Sequence, residues 1–232
     1  MESRGKFITF EGGDGSGKST QSQLLYAALK KAGIPVVLTR EPGGTKGAEE
    51  IRDLVVKGDA TKWDRMTETL LFIAARRDHV EKKIKPALER GEWVISDRFV
   101  DSTYAYQGYG HGVQLNLIDG LHRLALDGFA PDVTLIYNID YDEGLDRANA
   151  RIGSLSEEER EDRFEKMSML FHKNVQKGFL ERASADPKRC EIIKAVGAIH
   201  DIHSITIGAL NKRIRANLGR LSDAEIDSVL KG

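Results

Sequence analysis

The sequence predicts an α/β fold in which helices flank a five-stranded parallel sheet. Five apolar, β-rich runs alternate with longer helical patterns, which is the order of strand–helix–strand units. The runs are KFITFE, PVVLTRE, EWVISDR, DVTLIYN and CEIIKAV. Buried parallel strands have such continuous apolar sequences because helices cover both faces of the sheet.

Helical patterns separate the predicted strands and follow the last one. They lie at 18–32, 47–57, 65–90, 113–127, 142–151, 156–185 and 199–217. The long pattern over 156–185 starts with Ser156 and Glu159, which fit a capping box, and continues with apolar residues every three to four positions.

The chain length suits a single domain. The chain has 232 residues, which is close to the greatest length that one hydrophobic core usually supports. Two catalytic domains would not fit in that length. After residue 217, Ser222 is placed to cap one more short helical pattern. We therefore predict one domain over 1–217 and a C-terminal helical extension over 218–232.

The composition excludes several classes of protein. Lys and Arg total 35, Asp and Glu total 36, and the net charge of −1 provides no global basic field for nucleic acid. No apolar run approaches the ~18 residues of a membrane span, and the N-terminus lacks the apolar region of a signal peptide. We therefore expect a cytoplasmic protein without membrane or nucleic-acid partners. The single cysteine, Cys190, is expected to pack in the core.

A phosphate-binding loop follows the first strand. Residues 12–19 read G-G-D-G-S-G-K-S, which fits the pattern G-x-x-x-x-G-K followed by Ser or Thr, between a strand and a helix. The glycines allow a tight loop with inward-pointing N–H groups, and the helix N-terminus adds its positive dipole end. Lys18 is expected to bridge the β- and γ-phosphates, and Ser19 to bind Mg²⁺. The predicted ATP-binding residues are Gly12, Gly13, Asp14, Gly15, Ser16, Gly17, Lys18, Ser19 and Thr20. Motors, switches and kinases share this loop, so it does not identify the reaction.

A second pair of charged residues ends the strand EWVISDR. Asp97 and Arg98 follow an apolar run, at the carboxyl end of a strand, where open α/β sheets bind ligands. Asp97 is expected to hold magnesium directly or through water, and Arg98 to bind a phosphoryl oxygen bidentately. The alternative for such a pair is a solvated surface contact.

An aromatic residue and a cation lie one helical turn apart in the segment LLFIAAR. Phe72 and Arg76 share a helix face, so the ring is placed to stack on a nucleobase while the guanidinium donates to a base oxygen. The alternative is that Phe72 belongs to the hydrophobic core.

Five segments together resemble the thymidylate kinase family, in its bacterial form, over nearly all of residues 5–210. They are F-E-G-G-D-G-S-G-K-S-T, T-R-E-P-G-G-T, L-L-F-I-A-A-R, S-D-R-F-V-D-S-T-Y-A-Y-Q-G, and G-L-D-R-A-N-A-R with the later D-R-F-E. The resemblance implies a P-loop kinase fold with a mobile lid, transfer of the ATP γ-phosphoryl group to dTMP, and a homodimer.

The resemblance also assigns the contacts to the acceptor base. Phe72 is implied to stack on thymine, and Arg76 to donate to its exocyclic oxygen. The base edge and nearby groups are assigned to Ser102, Thr103 and Gln107.

The sugar and phosphate contacts come from the same resemblance. Asp14 is implied to face the 3′-hydroxyl, and Tyr106 to crowd the C2′ position and disfavour ribonucleotides. Arg40 and Arg98 are implied to hold the acceptor phosphate, and Glu41 to help arrange magnesium and water.

A lid over about 147–163 is expected to supply a further cation. Position 15 is glycine where another branch of the family has a loop arginine, so the resemblance implies that a lid arginine takes over. The candidates are Arg147, Arg151, Arg160 and Arg163. Arg151 and Arg163 match the family pattern best.

The expected reaction is in-line phosphoryl transfer, in which the protein positions the groups and neutralises charge. The predicted catalytic residues are Lys18, Asp97, Arg98, Arg151 and Arg163, and the predicted metal-binding residues are Ser19, Asp97 and Glu41. The nearest alternative is a deoxynucleoside kinase, in which Glu41 or Asp97 would act as base on a sugar hydroxyl. A P-loop switch or binding module is the alternative from another class.

Overall fold

A sheet of five parallel strands forms the centre of the protein, in the order β2–β3–β1–β4–β5. The computed structural model describes residues 4–59, 61–140, 142–144, 146–147, 163–164, 166–214 and 216–231. The strands are β1 (Phe7–Gly12), β2 (Val36–Arg40), β3 (Trp93–Asp97), β4 (Val133–Asn138) and β5 (Cys190–Lys194). The predicted five-stranded α/β fold is confirmed, and each strand lies within one residue of its predicted run.

Helices connect and flank the strands. They are α1 (Lys18–Lys31), α2 (Lys46–Val56), α3 (Arg65–His79), α4 (Lys85–Glu89), α5 (Val100–Thr103), α6 (Leu115–Leu126), α7 (Met169–Ala185), α8 (Ile199–Ile214) and α9 (Asp223–Lys231). A π-helical turn, Val80–Ile84, joins α3 to α4, so the predicted helix over 65–90 is continuous. Residues 142–144 and 146–147 are also helical. In the described part of the chain, no helix is both long and apolar enough to span a membrane.

The prediction of one helix over 156–185 is wrong for the described residues that precede Met169. Residues 163–164 and 166–168 are not helical, and α7 begins at Met169. The reason is a local cap, because the Ser168 hydroxyl accepts a hydrogen bond from Phe171 N at 3.2 Å. The capping box predicted at Ser156 and Glu159 lies outside the described residues.

A helical segment over Val100–Gly110 was not predicted. It consists of α5 and a second π-helical turn, Tyr104–Gly110, and its aromatic and glycine residues have low helix propensity. Packing against α7 compensates for this. Gly178 of α7 makes the close approach possible, because a Cβ there would stand 2.8 Å from the Tyr109 ring.

The core fills both faces of the sheet. Ile8 and Phe10 of β1 pack with α1 and α8 on one face, while Phe7 packs with Ile84 and Leu88 on the other. This alternation follows from the two-residue period of a strand. The C-terminal residues Leu218, Leu221 and Ile226 are buried in the same cluster as Ile8.

The strand register brings the chemistry-bearing residues to one edge of the sheet. Phe10 of β1 and Arg40 of β2 both lie opposite Asp97 of β3, and Gly12 lies opposite Tyr137 of β4. The carboxyl ends of these strands, with the loops that follow them, therefore form a common rim.

Candidate active site

The loop between β1 and α1 has the geometry of an anion-binding site. Gly15 and Gly17 have positive φ values of 71° and 82°, which glycine adopts without strain. Lys18 Nζ donates to the carbonyl of Gly13 at 2.6 Å, so the lysine folds back over the loop. The first turn of α1 contains no acidic residue, which keeps its positive dipole end available for a phosphate.

Lys18 lies among charged groups of both signs and is nearly buried. Burial of the ammonium group, with a smaller contribution from the neighbouring Arg98 charge, lowers the pKa of Lys18 to about 8. Asp14, Asp97 and Glu11 act in the opposite direction. At neutral pH the protonated form still dominates, as a phosphate ligand requires.

The base of the expected lid excludes a side chain at residue 15. A Cβ on Gly15 would stand 1.8 Å from the carbonyl oxygen of Gly144. An arginine in the loop is therefore incompatible with this arrangement of the backbone. The structure gives a steric reason for the glycine that the sequence shows at this position.

Ser19 and Asp97 meet beside the loop. The Ser19 hydroxyl donates to Asp97 Oδ2, although the two residues are 78 positions apart in the chain. A hydroxyl and one carboxylate next to a phosphate loop fit Mg²⁺, which proteins commonly bind through one or two such groups together with substrate phosphates.

The carboxylate of Glu41 contacts two basic side chains of α3. Arg76 Nε donates to one oxygen at 2.6 Å, and His79 Nδ1 lies 3.0 Å from the other. Glu41 is only 4% exposed. These contacts do not favour the predicted role of Glu41 in arranging magnesium; they make it a partner that orients Arg76.

Arg98 joins the phosphate loop to the acceptor side of the site. Its guanidinium donates to the Gly12 carbonyl at 3.1 Å, to Asp14 at 2.6 Å and to the Ser102 hydroxyl at 3.1 Å. The Tyr106 hydroxyl donates to Asp14 at 2.7 Å. Burial disfavours a charged Asp14, but the Arg98 and Lys18 charges outweigh it and lower the pKa of Asp14 to about 2.

The predicted loop and base residues open into one cavity of about 780 Å³. Its lining includes loop residues from Asp14 to Thr20. The acceptor-side residues predicted from the sequence line it as well, namely Arg40, Glu41, Phe72, Arg76, Asp97, Arg98, Ser102, Thr103, Tyr106 and Gln107. Phe72 is half-buried at the cavity wall and is not sealed in the core.

Arg76 is buried, with 2% exposure, but its surroundings are polar. Besides Glu41, its guanidinium binds the Thr103 hydroxyl at 2.8 Å, the Phe99 carbonyl at 2.9 Å and His122 Nε2 at 2.9 Å. Burial, assisted by the Arg76 charge, lowers the pKa of His122 to about 3, so the imidazole is neutral. Four polar partners thus fix the direction of Arg76.

The lid arginines divide into three groups. Arg147 lines the cavity and pairs with Glu143. Arg151 and Arg160 lie outside the described residues. Arg163 is buried against Glu68 and does not line the cavity, which argues against the catalytic role predicted for it. The physical reason is that separating a buried guanidinium from a buried carboxylate would leave an uncompensated charge in the interior.

Several site residues were missed by sequence reasoning. Phe164 lines the cavity. The apolar spacing of the segment 156–185 had instead placed it on the apolar face of a predicted helix. His122 and Glu68 support Arg76 and Arg163 from positions that carry no local signal. The buried Glu11 accepts from Phe99 N at 2.8 Å and from the Ser102 hydroxyl at 2.6 Å.

A phosphate loop and an aromatic base slot share one cavity at the carboxyl edge of a parallel sheet. This combination defines a P-loop nucleotide kinase. The family model described as Thymidylate kinase matches residues 10–205. The chain belongs to the thymidylate kinase family.

Known members of the family are similar over most of their length. The thymidylate kinase of Ruegeria pomeroyi is 51% identical over 193 residues, which cover 83% of this chain and 88% of the relative. That of Bradyrhizobium sp. is 44% identical over 211 residues, which cover 91% of this chain and 92% of the relative. The crystal structure of the Ehrlichia chaffeensis enzyme aligns with a TM-score of 0.71 at 41% identity, and covers 90% of this chain and 99% of that one.

Proposed function

We propose that the protein transfers the γ-phosphoryl group of ATP to dTMP and releases dTDP and ADP. The observation that carries the proposal is the single cavity that extends from Lys18 and Ser19 to Phe72 and Arg76. Arg98 lies between these two ends, where the acceptor phosphate would meet the donor. Family membership supports thymine as the base.

The acceptor phosphate needs no general base. Its second pKa is about 6, so a phosphate oxygen is already a nucleophile at neutral pH. The protein therefore contributes positioning and neutralisation of charge. We assign the acceptor phosphate to Arg98 and Arg40, and the transferring phosphoryl group to Lys18.

Magnesium belongs to the proposal as the partner of ATP. Ser19 and Asp97 would hold it beside the loop, and it would neutralise charge on the β- and γ-phosphates. This assignment rests on the contact between the Ser19 hydroxyl and the Asp97 carboxylate.

Asp14 and Tyr106 are assigned to the sugar. Their hydrogen bond at 2.7 Å brings a carboxylate and an aromatic ring to the same wall of the cavity. Asp14 is ionised throughout the physiological range because its pKa is about 2, so it is able to accept a hydrogen bond from a 3′-hydroxyl. The Tyr106 ring would disfavour an additional 2′-hydroxyl.

The geometry does not favour a deoxynucleoside kinase. That reaction needs a free carboxylate as base at a sugar hydroxyl. Of the two expected bases, Glu41 is held by Arg76 and His79, and Asp97 accepts a hydrogen bond from the Ser19 hydroxyl beside the phosphate loop. A nucleotide switch binds only one nucleotide, so it would have no use for a second slot that holds a nucleobase.

A closing lid and a homodimer complete the proposal. An open site would expose ATP to water, so a segment over 147–163 is expected to cover the phosphates. Arg147 at the cavity supports this placement, and Arg151 is proposed as a further catalytic cation. The homodimer and the cytoplasmic location are carried by the resemblance and by the sequence.

An assay of ADP release across acceptors tests the proposed function. With ATP and Mg²⁺ present, turnover should require dTMP and should be much weaker with dCMP, dGMP or thymidine. Omitting Mg²⁺ should abolish turnover. Vigorous ATP hydrolysis without an acceptor, or a preference for thymidine over dTMP, would contradict the proposal.

A further inference from the structure

The guanidinium of Arg163 is held by contacts that the proposed phosphate chemistry does not use. Its Nη1 lies 2.5 Å from Glu68 Oε2 and donates to the carbonyl of Val55 at 3.0 Å. Its Nε donates to the carbonyl of Asp59 at 2.9 Å. Both charged side chains of the pair are 2% exposed. The arginine thus connects the end of α2 to α3.

Glu68 extends this connection to the wall of the base slot. Gln107 Nε2 donates to Glu68 Oε1 at 2.8 Å, and Gln107 lines the cavity. Glu68, Phe72 and Arg76 follow one another at intervals of four residues, so they share one face of α3. The carboxylate that binds Arg163 is therefore one helical turn from the stacking ring.

Phe164 is the residue that this arrangement places at the site. Its ring centroid lies 6.1 Å from that of Phe72, with 51° between the planes. It lies 5.4 Å from the Tyr106 ring in an edge-to-face contact. The Arg163 guanidinium also lies near this ring, with Cζ 5.3 Å from the ring centroid. Phe164 thus contacts both aromatic side chains assigned to dTMP.

We propose that the Glu68–Arg163 ion pair positions Phe164 as a third aromatic wall of the acceptor slot, and so sets the affinity for dTMP. Arg163 is then a positioning residue and Phe164 a substrate-binding residue. The inference rests on the proposed function, because it takes the slot to be the dTMP site. It assigns no role in phosphoryl transfer to Arg163.

Steady-state kinetics of four variants test the proposal. They are Arg163→Gln, Glu68→Gln, the double variant and Phe164→Ala. Loss of a stacking wall should raise KM for dTMP roughly five- to a hundredfold, while KM for ATP and kcat change little. The change in log KM of the double variant should be smaller than the sum of the two single changes, because the two residues share one ion pair.

Arg213→Gln is the matched control. Arg213 also binds one carboxylate, that of Glu191, and the carbonyls of Pro187, Lys188 and Cys190. It does not line the cavity. This variant should lower the melting temperature without changing KM for dTMP, so a purely structural effect of losing a bound arginine is separated from a positioning effect.

Conservative variants keep the test decisive if Arg163→Gln does not fold. Phe164→Tyr retains the ring and should retain the parental KM, whereas Phe164→Ala should not. A large loss of kcat in Arg163→Gln at unchanged KM for dTMP would overturn the proposal, and so would an unchanged KM in Phe164→Ala.

Titration calorimetry with dTMP gives the same comparison without turnover. An inactive parent that binds dTMP would contradict the proposed function but not the positioning role. A parent that turns over dTMP, with variants of parental affinity, would contradict the positioning role alone. A parent that neither turns over nor binds dTMP would overturn both.

Discussion

Lys18 shows how a short motif determines the position of a charge. The loop backbone binds its ammonium group through the Gly13 carbonyl at 2.6 Å. Burial of the ammonium group, with a contribution from the Arg98 charge, lowers its pKa to about 8, so a bound phosphate anion would stabilise its charged form. The sequence motif predicted this position, whereas the pKa depends on burial and on Arg98, which is 80 residues away in the chain.

Replacing Lys18 by Ala should reduce kcat by about 10²–10³-fold, because a preorganised donor aimed at developing charge contributes that much. The measurement is ADP release at saturating ATP and dTMP. Lys30→Ala, at the exposed end of the same helix, should keep parental kcat. Parental activity in the Lys18 variant would remove its proposed role.

Glu11 is a buried acid that the strand pattern did not identify as special. Burial, assisted by the Asp101 charge, raises the pKa of Glu11 from 4.5 to about 8. The folded protein therefore retains a proton that the unfolded chain loses. The stabilisation from this proton is complete below about pH 4.5 and is lost as the pH rises through about 8.

Glu11→Gln removes this titration and should change the pH dependence of stability. From about pH 5 to about pH 8, the free energy of unfolding of the parent should fall relative to the variant by an amount on the order of a few kcal/mol. Urea denaturation at several pH values measures the difference. A difference that is independent of pH would show that Glu11 titrates normally in the folded state.

At the scale of elements, the periodic patterns predicted most helices and all five strands. The segment over Val100–Gly110 escaped because local propensity disfavours a helix there, while contact with α7 stabilises one. The start of α7 was predicted too early, because the local pattern favours a helix where the tertiary structure does not form one. Apolar spacing continued upstream of the cap at Ser168, but Phe164 packs in the cavity and not on a helix face.

The C-terminal helix α9 has the predicted cap. The Ser222 hydroxyl and Glu225 form a reciprocal capping box, and Lys31 of α1 binds the Glu225 carboxylate at 2.7 Å. Ile226 then packs into the core cluster that contains Ile8. These contacts tie the extension to the first helix of the fold.

Ile226→Ala should lower the free energy of unfolding by about 2–5 kcal/mol, the cost of removing a buried aliphatic side chain. Leu230→Ala on the same helix is the control, because Leu230 is 41% exposed and should change stability by less than about 0.5 kcal/mol. Chemical denaturation measures both. Equal effects would show that α9 does not depend on its buried face.

At the scale of the whole molecule, the site exists because the carboxyl ends of three neighbouring strands meet at one rim. The phosphate loop follows β1, Arg40 ends β2, and Asp97 ends β3. The cavity of about 780 Å³ joins these ends to Phe72 on α3. The tertiary structure therefore places donor and acceptor sites side by side.

A compound that links adenosine to thymidine through a polyphosphate should raise the melting temperature more than ATP or dTMP alone. Linking makes the second binding event intramolecular, and stabilisation grows with the logarithm of ligand concentration over Kd. Thermal denaturation with each ligand at equal concentration is the measurement. A shift no larger than that of dTMP alone would contradict one continuous site.

The sequence by itself determined the five-stranded α/β fold, the phosphate loop and the resemblance to a family. Strand periodicity, glycine positions and motif spacing are local properties of the chain, so they can be identified without coordinates. Tertiary structure alone decided that Glu41 orients Arg76, that Arg163 pairs with Glu68 and that Phe164 reaches the cavity. A charged or aromatic side chain has several chemically suitable partners, and only the packing of distant elements selects among them.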